Sequence, residues 1–348
     1  MSRVAEKEQG AAATEEAYDW PSQPFAAIVG APRCGTTTLS RLLQHHPQVA
    51  FSSVKEPHFF SMVDLEAMSD KELRDFVAGH YLARYFPDVD PAAKVMVEGS
   101  VSYLYAPERM AAILRLWPGA KFIIAVRDPL EQIPSLHQRL LYQGDETEKD
   151  FEIAWNLIEA RRNGRKVPRS CVDARQLFYD EAGRFGKHVG RLFEVVGRER
   201  CHVVVFDDLK TNPKKVYDDL LVFLDLPPAP MPEEKQRRPR HGFKIGWLQR
   251  LLKRPPVARS VLAGQQFRKR VTAKPHREPS WLSQKVMDTR LALLRWNRAP
   301  APRTIMSPEL IAEIRDTLRD DTLEFSRLIG RDLSHWLGGI GPSVEPAP

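Results

Sequence analysis

The run GAPRCGTTT, residues 30–38, contains residue types that bind phosphate groups. Gly30 and Gly35 bracket a tight turn, and three threonines follow at the start of a predicted helix. The backbone N–H groups of such a turn and the positive end of a helix converge on an anion, and the hydroxyls add further donors. The run therefore predicts a phosphate-binding loop, although a plain strand-to-helix connection could use the same glycines.

The position of the positive charge narrows the kind of anion. The spacing satisfies G-x-x-x-x-G, but Thr36 stands where a nucleoside triphosphatase has its Lys. The charge lies inside the loop instead, at Arg33. A cation at that point would face an anion with one phosphate and an attached group, which favours a phosphosulfate over ATP.

A second anion site is suggested by the segment FIIAVRDPLEQIPS. Arg127 ends an apolar run, and Ser135 follows eight residues later in the next predicted helix. A guanidinium at the end of a strand can bind a phosphate through two hydrogen bonds, and a hydroxyl from the following helix can complete the pocket. The pair carries information only because the run before it is predicted to lie in the same sheet as the phosphate loop.

The segment VKEPHFFS, residues 54–61, offers a carboxylate and an imidazole. Glu56 could act as a general base if its pKa were raised or if an acceptor lay very close. The neighbouring Pro and Phe side chains are expected to exclude water from the carboxylate and so to raise this pKa. A Glu beside Lys55 is, however, more often a solvated turn residue. A lone His such as His58 is more often structural.

Short apolar runs alternate with helical patterns along the chain. Buried parallel strands are predicted at Phe25–Gly30, Lys94–Glu98, Lys121–Val126 and His202–Phe206. The predicted helices are Thr36–His45, Pro107–Trp117, Tyr179–Val196, Pro213–Leu224, Gly246–Leu252 and Pro308–Ile329. This alternation predicts an α/β fold, namely a P-loop-containing three-layer α/β/α architecture with a central parallel sheet, in which ligands bind at the carboxyl ends of the strands.

On these residues the sequence resembles the sulfotransferases that use 3′-phosphoadenosine 5′-phosphosulfate (PAPS), in particular a bacterial branch similar to heparan sulfate sulfotransferases. Their phosphosulfate loop typically reads G-x-P-K/R-x-G-T-T, which residues 30–37 match. The pair Arg127 and Ser135 and the segment 54–61 match two further elements of that family. The resemblance covers about residues 25–226 and 306–336.

The resemblance implies a donor and a set of roles. PAPS would supply the sulfuryl group and 3′-phosphoadenosine 5′-phosphate (PAP) would remain. The residues implied to bind the 5′-phosphosulfate are Arg33, Cys34, Gly35, Thr36, Thr37 and Thr38. Those implied to bind the 3′-phosphate are Arg127 and Ser135. Glu56 would be the catalytic base, Arg33 would neutralise the leaving phosphate, and His58 would assist or replace Glu56; no metal is expected.

The acceptor stays open, as a hydroxyl or amine on a carbohydrate, a lipid or a small metabolite. Ser102 and Tyr103 are candidates to line its pocket or that of the nucleotide, and Arg240, His241 and Lys244 are candidates to close over the nucleotide. Pro134 is a departure from the family pattern, because a proline deep in the helix would bend it and shift Ser135.

Composition and charge indicate how the chain is divided into domains and in which compartment it works. The chain has 348 residues and a net charge of +7, but residues 233–278 alone carry +11. We expect a single domain at 21–337 with a basic lid or insertion at about 227–305, and disordered tails at 1–20 and 338–348. Three scattered cysteines and the absence of a long apolar segment favour a soluble cytoplasmic protein without disulfides, zinc or a membrane span. The oligomeric state is not predicted.

Two other functions use parts of the same pattern. A P-loop kinase for a small molecule would need the Lys that is missing at position 36. A nucleic-acid-binding module could use the basic segment, which contains Phe243, Trp247 and Phe267 but no ordered aromatic platform that the sequence reveals. We expect no nucleic-acid partner.

Overall fold

The computed structural model describes residues 20–232, 241–254, 281–301 and 304–339. Within these ranges the chain forms a parallel sheet covered by helices on both faces, which confirms the predicted α/β/α fold. Most of the two predicted tails, residues 1–19 of 1–20 and residues 340–348 of 338–348, and Arg240 lie outside the described residues. Trp20 lies inside them, and its ring packs 5.0 Å from that of Trp117.

Five parallel strands make the central sheet, in the order β2-β3-β1-β4-β5. The strands are β1 Phe25–Gly30, β2 Val49–Phe51, β3 Val95–Glu98, β4 Lys121–Val126 and β5 Cys201–Val205. The two central strands match the prediction residue for residue, β3 and β5 differ by one residue, and the short β2 is not predicted. Because all five run the same way, the loops after β1, β3 and β4 leave from one edge of the sheet.

Helices follow most strands and cover the sheet. They are α1 Thr36–Gln44, α2 Phe59–Met62, α3 Asp70–Val77, α4 Ala83–Tyr85, α5 Ala111–Leu116, α6 Pro129–Gln143, α7 Phe151–Asn156, α8 Ile158–Arg162, α9 Tyr179–Ala182, α10 Phe185–Val196, α11 Phe206–Thr211, α12 Pro213–Phe223, α13 Gly246–Lys253, α14 Trp281–Trp296 and α15 Pro308–Ile329. The last begins at the cap Ser307 and ends at Gly330, whose φ of 64° is the left-handed cap that the sequence predicts.

Two predicted helices are wrong in detail. The run 179–196 is broken between α9 and α10, because the chain packs closely at Gly183: a Cβ there would lie 3.0 Å from Ile133 and from Leu318. The run 107–117 begins with a 3₁₀ turn, Pro107–Met110, before α5.

The basic segment is more regular than the sequence suggests. Two short strands, β6 His241–Phe243 and β7 Arg298–Pro300, pair antiparallel, and α13 and α14 lie between them in the chain. The predicted helix at Gly246 is confirmed. The interpretation of the rest as irregular is wrong for α14, whose apolar residues are spread around the helix and give no clear amphipathic pattern.

Helix α6 presents Ser135, and a buried ion pair fixes its carboxyl end. Arg161 and Glu146 lie 2.8 Å apart with side chains that are 1% and 0% exposed. The Tyr179 hydroxyl donates to the same carboxylate oxygen at 2.7 Å, and Arg161 also donates to the other oxygen at 2.9 Å. These contacts hold α8 and the start of α9 against the segment that follows α6.

No helix in the described part of the chain is long and apolar enough to cross a membrane. The same residues contain no group of three or more His, Cys, Asp and Glu arranged to hold a metal ion.

The buried pair gives a stability prediction. Arg161→Met should lower the free energy of unfolding by about 3–5 kcal/mol, because it leaves the Glu146 carboxylate buried without its counter-ion. Urea unfolding at neutral pH measures the change. Lys71→Met is the matched control, since Lys71 pairs with Asp75 on the surface, and it should change stability far less than Arg161→Met does. Equal effects of the two substitutions would contradict a structural role for the buried pair.

Candidate active site

The predicted phosphate loop connects β1 to α1 at the carboxyl edge of the sheet. Gly35 caps α1 with a φ of 91°, a conformation that favours glycine. A Cβ at this position would lie 2.8 Å from the ring of Phe206, so glycine is required for packing as well as for the turn. The loop can therefore approach the start of α11 closely.

The start of α1 provides donors for an anion. The backbone N–H groups of Thr36 and Thr37 make no backbone hydrogen bond among the described residues, as expected for the first turn of a helix. The Thr37 side chain is exposed, that of Thr38 is half-buried, and that of Thr36 is buried. The helix terminus and one or two hydroxyls are thus available to a phosphate group.

Cys34 contributes less than its place in the motif suggests. Its side chain is fully buried, and its N–H donates to the Ala31 carbonyl at 3.4 Å inside the turn. Burial raises the pKa of the thiol far above its usual value. Cys34 therefore packs under the loop, and the prediction that it contacts the donor directly has no support from its side chain.

Arg33 joins the loop to α6. Its Nε donates to Ser135 Oγ at 2.9 Å, and its φ of 70° turns the side chain out of the loop into an exposed position. Gln132 Nε2 donates to the Pro32 carbonyl at 3.2 Å. Arg33 and Ser135, which are 102 residues apart in the sequence, thus lie side by side, a contact that the sequence analysis did not predict.

Pro134 does not displace Ser135. It is the sixth residue of α6 and removes one helical hydrogen bond, but the helix continues through it to Gln143. Pro134 and Ser135 are both buried, and the packing of α6 fixes their positions. Pro134 thus lies beyond the first turn without ending the helix, and Ser135 accepts a hydrogen bond from Arg33.

Arg127 lies at the end of β4, where the sequence predicts it. Its guanidinium lies 2.5 Å from the carboxylate of Glu131 and 4.5 Å above the ring of Phe206. One of its nitrogens donates to the Arg33 carbonyl at 3.4 Å. Glu131 also contacts Lys210 at 3.2 Å, so an arriving phosphate would meet a guanidinium that already shares a carboxylate with a second cation.

Gln132 is a site residue that the sequence analysis missed. It is fully buried on the side of α6 that faces the loop, three residues before Ser135. Residues three apart share a helix face, and this spacing is the signal that could have found it.

Glu56 is held between two basic groups. Lys55 Nζ lies 2.5 Å from one carboxylate oxygen, and His58 Nε2 lies 3.5 Å from the other. Partial burial would raise the pKa of Glu56, but the hydrogen bonds and charges of His58 and Lys55 outweigh it and lower the pKa to about 2. The predicted raised pKa is wrong, because the two neighbouring basic groups outweigh the effect of burial.

His58 is fixed by a chain of hydroxyl groups. Its Nδ1 lies 2.7 Å from Ser102 Oγ, which in turn lies 2.7 Å from Ser61 Oγ. Its backbone N–H donates to Ser100 Oγ at 2.9 Å. Ser102 therefore belongs to the candidate site through His58. Tyr103 does not line a pocket, because its side chain is fully buried.

The two halves of the site meet at Gly99. Its N–H donates to the Lys55 carbonyl at 3.0 Å. A Cβ at Gly99 would lie 3.1 Å from Ser40 Oγ on α1 and 3.4 Å from the same carbonyl. Glycine at this position lets the segment that carries Glu56 pack against the helix that opens the phosphate loop.

Comparison with known proteins agrees with this arrangement. The model of the sulfotransferase family matches residues 24–230, which is more than half of the chain. The chain belongs to the sulfotransferase family. The match includes the loop at Gly30, the Glu56 segment and both Arg127 and Ser135, and it does not favour the kinase or the nucleic-acid module.

Individual relatives of this sulfotransferase family member are distant. The bifunctional heparan sulfate N-deacetylase/N-sulfotransferase 1 of Caenorhabditis briggsae is 23% identical over 64% of the chain and 25% of its own length. The heparan sulfate glucosamine 3-O-sulfotransferase 5 of Mus musculus is 25% identical over 59% of the chain and 54% of its own length. The chain thus spans between a quarter and about half of these relatives.

A solved structure shares the fold. The sulfotransferase from Alicyclobacillus acidocaldarius superposes with a TM-score of 0.57 at 22% identity, covering 91% of this chain and 99% of that one. This likeness supports the three-layer architecture and says nothing of the substrate.

Glu98, at the end of β3, is a further residue of this sulfotransferase site that the sequence analysis did not single out. Its side chain is fully buried beneath the Gly99 junction. Burial raises the pKa of Glu98 to about 7, although the hydroxyls of Tyr103, Tyr81 and Ser100 oppose the rise. A carboxyl group that changes charge near neutral pH thus lies under the segment that joins the two halves of the site.

The raised pKa of Glu98 predicts a pH-dependent stability. The folded protein keeps this proton up to about pH 7, whereas the unfolded chain loses it near the ordinary value of 4.5. The folded state binds more protons between these values, so the free energy of unfolding should fall as pH rises from about 5 to 7, by about 3 kcal/mol at most.

Urea unfolding at several pH values measures this slope. Glu98→Gln should flatten it, and the exposed control Glu66→Gln should leave it unchanged. A slope that survives in Glu98→Gln would assign the titration to another group.

Proposed function

We propose that this protein transfers the sulfuryl group of PAPS to a hydroxyl or amine acceptor. The observation that carries the proposal is the contact of Arg33 with Ser135 beside the free N-terminus of α1. Membership of the sulfotransferase family supports it independently. The same contact joins two groups that the resemblance assigns to opposite ends of one nucleotide.

The described residues are suited to the two anionic ends of PAPS. The N–H groups of Thr36 and Thr37, with the Arg33 guanidinium, would bind the 5′-phosphosulfate. Arg127 and Ser135 would bind the 3′-phosphate. The ion pair between Arg127 and Glu131 would then weaken, because the phosphate would share the guanidinium. The spacing between these groups is set by the neighbouring strands β1 and β4.

Arg33 would act on the leaving group. As the bond between sulfur and the bridging oxygen breaks, negative charge grows on the 5′-phosphate, and a guanidinium already in place stabilises that charge without reorganising. Ser135 orients the guanidinium through the hydrogen bond that it accepts from Nε. Positioning and electrostatics supply most of the catalysis in transfers of this kind.

Glu56 would accept the proton from the acceptor. A pKa of about 2 means that the carboxylate is ionised at neutral pH, but it also makes Glu56 a weak base. The acceptor would therefore have to displace Lys55 or His58 from the carboxylate, which would return the pKa towards its ordinary value. His58, in contact with both Glu56 and Ser102, is the alternative base.

The acceptor is proposed only by class. The relatives named above are heparan sulfate sulfotransferases, and a carbohydrate acceptor is the first class to test, ahead of lipids and small metabolites. A single domain at 21–337, a basic lid at about 227–305 and a cytoplasmic bacterial setting remain predictions. In the described part of that lid, Lys244 is exposed and its Nζ lies 5.2 Å from the centre of the Trp296 ring.

Donor binding is the direct test of the cationic groups. Arg33→Ala and Arg127→Ala should each weaken the binding of PAP about tenfold or more, because each removes a charged hydrogen-bond donor to a phosphate. Isothermal titration calorimetry with PAP measures the change. Arg327→Ala, an exposed cation on α15, is the control and should bind PAP normally. Unchanged affinity in both variants would overturn the proposed donor site.

Turnover separates the base from the donor site. Glu56→Gln should bind PAP with near-normal affinity and lose at least about 100-fold in transfer of labelled sulfate from PAPS, because the amide cannot accept the proton. The acceptor can be supplied by a panel of glycans, or by an extract of the source organism whose labelled product is then identified. Glu66→Gln serves as the control. Full turnover in Glu56→Gln would leave His58 as the base, and loss of PAP binding would assign Glu56 to the donor site instead.

A further inference from the structure

Helices α13 and α14 expose an unusual amount of aromatic surface. Trp247, Trp281 and Trp296 are 63%, 70% and 55% exposed, although a Trp ring is one of the largest apolar surfaces that a protein can bury. They are three of the seven Trp residues of the chain. Such a concentration of exposed rings on two adjacent helices marks an interaction surface.

Further exposed apolar side chains lie on the same two helices, and on α14 they are spread around the helix. The exposed residues of this kind on the two helices are Leu251, Val286, Met287, Leu291 and Leu293. We call the five aliphatic residues and the three Trp residues the α13/α14 face. Its partner must therefore offer an apolar phase and not only charged or hydroxylated groups.

The spacing of the rings gives the surface a direction. Trp281, Lys285 and Trp296 fall at intervals of four and eleven residues, which places them on one side of α14, and Trp247 and Leu251 are four apart on α13. At 1.5 Å per residue, Trp281 and Trp296 lie about 22 Å apart along the helix. The surface is long enough to contact an extended partner.

The opposite side of α14 is fixed to the protein by polar contacts. Asn297 Nδ2 donates to the Ile245 carbonyl at 3.1 Å and to Gln249 Oε1 at 3.2 Å. Arg290 Nε donates to the Leu252 carbonyl at 2.7 Å. Gln249 in turn donates to the Tyr142 carbonyl at the end of α6. These contacts attach α14 to the protein through Arg290 and through Asn297, the residue that follows the helix.

Positive charge accompanies the apolar groups. Residues 241–254 and 281–301 contain eight Lys and Arg but only one acidic residue, Asp288. Burial lowers the pKa of Lys253, and the charges of Arg139, Arg290, Arg298 and Arg254 lower it further, so cations here are crowded together. Lys285 Nζ lies 5.6 Å from the centre of the Trp281 ring. Charge complementarity requires a partner with a dense negative surface.

We propose that the α13/α14 face binds the surface of an anionic lipid bilayer. Trp rings and aliphatic side chains would enter the boundary between head groups and acyl chains, while Lys and Arg side chains contact the anionic head groups. A nucleic acid or a polyanionic glycan would match the charge but would leave the five aliphatic side chains facing polar groups. The protein would lie on the bilayer without crossing it, and this surface does not depend on the proposed sulfuryl transfer.

Vesicle binding by the full chain tests the proposal. The protein should sediment with vesicles of phosphatidylcholine and phosphatidylglycerol, bind vesicles of phosphatidylcholine alone at least about tenfold more weakly, and lose binding to the mixed vesicles as salt is raised. Insertion of the rings should shift the Trp fluorescence to shorter wavelength.

Substitutions assign the binding to this face. The pair Trp281→Ser and Trp296→Ser should lower partitioning onto mixed vesicles about tenfold or more, and Lys285→Glu should lower it by weakening the attraction to the head groups. Val222→Ser is the matched control, because Val222 is a 76% exposed apolar residue on α12, outside the face. Thermal unfolding and PAP binding of each variant show whether it is still folded.

Three outcomes would overturn the proposal. The wild-type protein could fail to bind mixed vesicles, or the Trp variants could bind as well as the control. Light scattering could instead reveal a dimer that the Trp substitutions dissociate, which would assign the face to a second copy of the chain. Loss of sulfate transfer with intact vesicle binding would concern the proposed function alone.

Discussion

The site depends on how α6 and the end of β4 hold the phosphate loop. Gln132 and Arg127 donate to the carbonyls of Pro32 and Arg33, and Ser135 accepts from the Arg33 side chain. Three side chains from one strand-to-helix unit thus fix the loop that ends the neighbouring strand. Since β1 and β4 are adjacent and parallel, this contact follows from the sheet order and would be lost if the strands were arranged otherwise.

Electrostatics divides the site into two parts with opposite requirements. The loop side gathers Arg33, Arg127 and the start of α1, and it is suited to anions before any ligand is bound. The other side pairs Glu56 with Lys55 and His58, which keeps the carboxylate ionised but weakly basic. Gly99 lies where these parts come into contact. Burial raises the pKa of the neighbouring Glu98 to about 7, so its carboxyl group changes charge near neutral pH. Without a ligand, the loop side is therefore already suited to an anion, whereas the Glu56 carboxylate is a weak base.

The α13/α14 face lies apart from this chemistry but is attached to the same helix. Gln249 contacts the carboxyl end of α6 through the Tyr142 carbonyl, and Arg254 pairs with Asp145 at 2.6 Å just beyond it. Helix α6 therefore connects Ser135, near its amino end, with the exposed Trp surface beyond its carboxyl end. Orientation of the protein on a surface would in this way also orient the site.

The sequence alone determined the strands at Phe25 and Lys121 and the glycine-rich turn that opens α1, because apolar runs, glycines and caps act over a few residues. The contacts of Arg33 with Arg127 and Ser135 came only from the tertiary structure, since they join residues about a hundred positions apart. The sequence analysis misjudged Glu56, Tyr103 and the break before α10, and it overlooked Gln132 and Glu98. Those depend on which groups come into contact: Lys55 and His58 reached the carboxylate, and Leu318 closed on Gly183. Turns, caps and strands depend on short stretches of the chain, whereas the burial of a side chain and the charges around it are set only when the whole sheet is assembled.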